Sequence, residues 1–152
     1  MSRKDSVGYI GFRANLDRDM IEILAPISPA DLIDRLTILR LKAERIEDLA
    51  KLANVKRELA RIEAIVERVF EQHEELRIFW SSLHEINDDL WQLNNDLRAF
   101  EARGDFGTGY IALARSLCAC NDRRAALKKQ INLLFNSSLV EEKSHPDTHQ
   151  TH

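Results

Sequence analysis

The chain has 152 residues, 44% of them hydrophobic and 31% charged, with a net charge of −3. That is the balance of a folded domain able to bury a core without disulfides, and it excludes general disorder. The acidic balance also points away from gripping phosphate backbones, so nucleic acid is not an expected partner.

No segment approaches the ~18 apolar residues that cross a bilayer, so no membrane association is expected. The N-terminus, with Arg3, Lys4, Asp5 and Arg13, lacks the apolar core of a signal peptide. Cys118 and Cys120, two apart in a predicted helix, point to nearly opposite sides and cannot pair. A reduced, cytoplasmic setting is therefore expected.

Residues 1–19 read as an extension, although Val7, Tyr9, Ile10 and Phe12 are more apolar than a linker needs. Residues 20–27 read as extended, because Ile21 and Ile23 flank Glu22 and Pro26 disfavours helix before it. Ser28-Pro29-Ala30-Asp31 is a helix start: serine caps, and proline takes a position where its missing N–H costs nothing. That helix carries Leu32, Leu36, Leu39, Ala43 and Ile46 on one stripe. Ile33, Ile38 and Leu41 point elsewhere, so it should be touched from more than one side.

Residues 47–103 contain neither glycine nor proline. Apolar side chains recur through them at intervals of three and four: Leu52, Val55, Leu59, Ile62, Val66, Val69, then Leu76, Trp80, Leu83, Leu90, Leu93, Leu97 and Phe100. Only helices gather such a pattern into one stripe. One helix of this length would exceed about 80 Å at ~1.5 Å per residue, which predicts a turn. Ser81-Ser82 is its expected place, since Ser82 and Glu85 have capping-box spacing; the alternative is one continuous helix in an extended coiled coil. Gly104 should end the next helix in a left-handed conformation. A last helix, capped by Asp105 or Thr108, should run to about Phe135 and stop at Asn136-Ser137-Ser138, with Leu139 and Val140 folding back. The tail, 144–152, is polar and expected to be disordered. The domain is thus 20–143, an all-α antiparallel bundle of about four helices with a long heptad-patterned helical hairpin. It has more apolar faces than one small bundle covers, so a homodimer is expected.

In the last helix the inward stripe reads Tyr110, Ala114, Leu117, Asn121, Arg124, Lys128, Ile131, Phe135. Its three consecutive polar members need an answer, because an unpaired buried charge is costly. Acidic candidates are Asp34, Glu44, Asp88, Asp89, Asp96, Glu141 and Glu142. One reading is an internal salt-bridge network fixing helix register, or snorkelling stems that reach water. The other is an anion site, with Arg124 and Lys128 holding a carboxylate or phosphate and Asn121 orienting it. Asp34 or Glu44 would then supply an acid or base.

Other features point to structure. Asp105-Phe106-Gly107 joins two helices as a cap with Phe106 as anchor. His73 and His84 lack metal-ligand spacing, nothing orients His145, His149 and His152, and no metal or cofactor is expected. The cysteines read as small buried hydrophobes. Five bases between Arg115 and Lys129 have no interleaved aromatics to suit a nucleic acid.

Several segments resemble a bacterial family catalogued only as a domain of unknown function, number 6165. They are Pro26 to Leu39, Lys51 to Leu59, Leu90-Trp91, Asp105-Phe106-Gly107, Ala114-Arg115-Ser116, Asn121 to Asn132 and Val140 to Lys143. The likeness spans roughly residues 20–143 and implies nothing specific about activity. Asp34-Arg35-Leu36 through Arg45 is also faintly similar to the first helix of all-helical chorismate mutases, but the 47–103 run does not fit their short helices. Two functions remain open: a non-enzymatic interaction or assembly module with a protein partner, and a small-anion-binding protein or minor enzyme.

Overall fold

The computed structural model describes residues 23–71, 73–139 and 142. The expectations for 1–22, Val140, Glu141 and the tail concern residues outside those. Among the described residues the chain forms four helices and no strand; residues 23–27 are exposed and belong to neither class.

Helix α1 (Pro29–Arg45) begins where the sequence places it. The Ser28 hydroxyl accepts the Asp31 N–H at 3.1 Å and donates to Asp31 Oδ2 at 2.6 Å. Ala30, Leu32, Ile33, Leu36, Leu39 and Leu41 are all buried, which uses most of the helix circumference. Such burial needs neighbours on several sides, and α1 is packed by each of the other three helices. Each fully buried Leu or Ile is worth about 1.5–3 kcal/mol, so α1 is where the core is anchored.

Helix α2 (Leu49–Phe70) starts at Asp48, whose side chain accepts the Lys51 N–H at 2.9 Å. The turn that follows is not at Ser81-Ser82. It lies between Phe70 and Leu76, and Ser81 and Ser82 lie inside α3 (Leu76–Arg103). No residue from Glu71 to Glu75 is apolar, so a helix continued through them would have no face to bury. Phe70 and Leu76 close the turn on either side by entering the core. The Phe135 ring packs against it, tilted to Phe70 at 4.8 Å and edge-on to His73 at 5.0 Å between centroids. The 47–103 run is therefore two helices, and its two halves lay their stripes mainly on other helices: α2 on α1, α3 on α4 and α1.

Gly104 has φ 64° and ends α3 in the left-handed conformation that favours glycine. Helix α4 (Thr108–Leu134) is capped by Gly107 rather than by Asp105 or Thr108. Thr108 is already helical, and the Asp105 carboxylate turns back to accept the Gly107 N–H at 3.1 Å. Phe106 packs edge-on against Tyr110, 5.4 Å away, while staying 56% exposed. Helix α4 ends as expected, with Phe135 as its C-terminal cap and Asn136 just beyond it at φ 46°. Cys120 is buried in α4 but Cys118 is exposed: the two lie on nearly opposite sides of a helix that, unlike α1, is not covered all round.

Candidate functional site

The polar stripe of α4 finds its answer on α1. Asp34, 5% exposed, accepts Arg124 Nε on Oδ1 at 3.0 Å and the Arg124 terminal amino group on Oδ2. Lys128 Nζ sits 2.7 Å from Asp31 Oδ1 and 4.0 Å from Asp34 Oδ2. The register follows from helix direction: α1 and α4 run antiparallel, so a step from Asp31 to Asp34 matches a step from Lys128 back to Arg124. Two carboxylates and two bases thus pair two by two.

Neutral side chains complete the cluster. Asn87 of α3 uses its amide to donate to Asp34 Oδ1 and to Thr37 Oγ1, both at 2.8 Å. Thr37 in turn donates to the Asp34 carbonyl at 2.8 Å. Near the start of α1, the Ala30 N–H donates to Asn132 Oδ1 of α4 at 3.0 Å, satisfying a donor that has no partner within its own helix. Among the described residues no buried side-chain nitrogen or oxygen is left without a partner. Burial pushes the Asp31 carboxyl up, but hydrogen bonds from Lys128 and Ser28 and the charges of Lys128 and Arg124 outweigh it. The net effect holds Asp31 below its ordinary value.

Of the residues singled out in sequence, Asp34, Arg124 and Lys128 meet. Asn121 is half-buried one turn before Arg124 on α4. Glu44 is exposed on α1 and faces a different place, a depression it shares with Arg40, Arg77, Trp80, Ser81 and His84.

That depression adjoins a larger cleft of about 740 Å³ between α2 and α3. Leu36, Val66, Phe70 and Leu76 give it an apolar floor. Trp80 stands at its side with the Arg40 guanidinium 4.4 Å from the ring centroid, and Glu63 holds Arg40 through bonds of 3.1 and 2.8 Å. The cleft exists because α2 packs along α1 and forms no comparable contact with α3 or α4.

Residues 23–151 match the model of a family described as a family of unknown function (DUF6165). The chain belongs to this family. No curated protein and no solved structure matches it. Every residue of the DUF6165 polar cluster, and every residue lining the cleft, lies inside the matched span.

Sequence reasoning missed four members of the cluster: Asp31, Thr37, Asn87 and Asn132. Asp31 sits in the capping segment Ser28-Pro29-Ala30-Asp31, yet its spacing of three from Asp34 mirrors the spacing of four between Arg124 and Lys128. Asn87 had a signal too, since it falls between Leu83 and Leu90 on the apolar stripe of α3, where a polar side chain needs a partner. Among the described residues no group of three or more His, Cys, Asp or Glu side chains is placed to hold a metal ion. Among the described residues no helix is long and apolar enough to cross a membrane.

Proposed function

We propose that this protein is a non-enzymatic helical interaction module whose partner-binding surface is the cleft between α2 and α3. The observation that carries this reading is the one-sided packing of α2. A helix resting mainly on one neighbour leaves a groove beside it, and here that groove has a buried apolar floor, with exposed Ala64 and half-buried Trp80 at its sides. Grooves of this kind accept the apolar face of another helix. Tryptophan and arginine at the edge supply the residue types that most often carry binding energy at protein interfaces.

The polar cluster supports the same reading by being closed. An anion at Arg124 and Lys128 would have to displace the carboxylates of Asp34 and Asp31, which already neutralise both bases at hydrogen-bond distance. Arg124 and Lys128 with Asn121 therefore fit an internal register device better than an anion site, with Asp34 as its hub rather than as an acid or base.

A photo-crosslinking amino acid placed at Ala64, which is exposed in the cleft, tests the proposal in cells. The control position is Ala126, exposed on α4. Protein adducts from position 64 and not from position 126 are the expected result. No adduct at 64, or equal adducts at both positions, would overturn it.

A further inference from the structure

We infer that the partner is a second copy of this chain, docked antiparallel along α2. The inference rests on the interaction reading above and adds to it the identity of the occupant. What points to self-association is how charge is distributed along the helix.

From Leu49 to Arg61, α2 carries four bases (Lys51, Lys56, Arg57, Arg61) against one acid, Glu58. From Ile62 through the turn to Glu75 the balance reverses, with five acids (Glu63, Glu67, Glu71, Glu74, Glu75) against Arg68. A helix that is basic in one half and acidic in the other repels a parallel copy of itself and complements an antiparallel one. Two of the acids are already used within the chain: Glu58 is 2.5 Å from Arg35 and Glu63 is 2.8 Å from Arg40. Among the described residues Lys56 and Glu67 form no ion pair, and both are exposed.

The helical period fixes which residues meet. Ala64 and Glu67 line the cleft, and at 100° per residue Lys56 and Ala60 fall on the same side of α2. An antiparallel copy centred between Ala60 and Ala64 brings Lys56 of each chain level with Glu67 of the other. The two alanines at the centre let the helices approach closely. The symmetry is that of an isologous dimer, in which the same pair forms twice.

Charge reversal in trans is the test, read by sedimentation equilibrium on the full chain. Lys56→Glu and Glu67→Lys each place like charges opposite one another at two positions. Each alone should weaken self-association by more than about tenfold. An equimolar mixture of the two should recover wild-type association, because both cross-pairs become Glu–Lys again. Both changes are at exposed positions, so unchanged circular dichroism and melting temperature are expected for each monomer. Wild-type protein that stays monomeric, single reversals without effect, or a mixture that does not recover would each overturn the inference. Adducts at Ala64 to a different protein, alongside a monomeric wild type, would leave the interaction reading standing and remove only the second copy.

Discussion

Asp31 and Asp34 stand one turn apart on α1, yet they meet different amounts of water. The Asp34 side chain is 7% exposed and that of Asp31 is 44% exposed, so the first depends on its partners and the second can be solvated. Because the Asp31 pKa is held down in the folded state, its interaction with Lys128 and Ser28 stabilises the protein above the ordinary carboxylate value, near about 4. That contribution is lost as pH falls through the lowered folded value. Urea unfolding of Asp31→Asn against wild type should therefore show a deficit at neutral pH that shrinks as pH is lowered toward about 3. A deficit independent of pH would mean that the carboxylate charge is not what matters. The cysteines give a second prediction at this scale. A thiol reagent should label Cys118 in the native protein and reach Cys120, 1% exposed, only on unfolding. The sequence already placed the two on opposite sides of a helix, so both can be buried only if that helix is covered all round, and α4 is not.

The four helices were legible because each is written twice, once in its apolar period and once in its ends. Ser28-Pro29 and Gly104 are such ends, and the structure uses both. The turn between α2 and α3 was not legible from caps, since it has neither glycine nor proline and no side-chain cap at Glu75. Its signal was an absence, five residues without an apolar side chain, and a serine–glutamate spacing farther on was the stronger lure. Ser82 is one residue before Leu83, which is fully buried, so the core holds that stretch helical whatever Ser82 prefers. Ser28→Ala should accordingly cost about 1–2 kcal/mol by loss of a working cap. Ser82→Ala should lie within about 0.5 kcal/mol of wild type. Chemical denaturation of the two variants checks this, and equal losses would contradict the placement of the turn.

For the molecule as a whole, the arrangement divides into a tied part and an open part. Asp34 ties α1 to α4 through its ion pair with Arg124 and to α3 through the hydrogen bond it accepts from the Asn87 side-chain amide, across sequence separations of 90 and 53 residues. The presence of part-buried charge in α4 was legible in sequence, from three polar residues in line on an apolar stripe. Its partner was not, because seven acids were available and only the antiparallel register of α1 against α4 selects among them. The open side, where α2 leaves a cleft, was visible only as a surplus of apolar faces; which face stays uncovered depends on how far α2 and α3 separate after the turn. The cluster is proposed to be structural, and the cleft to be where other chains meet the protein. Equilibrium urea unfolding of Arg124→Met tests this most directly. Removing the guanidinium leaves Asp34 buried with Lys128 4.0 Å away and one amide donor, and should cost about 3–5 kcal/mol. A variant as stable as the wild type would contradict a structural role and return Arg124 to that of a ligand-binding residue.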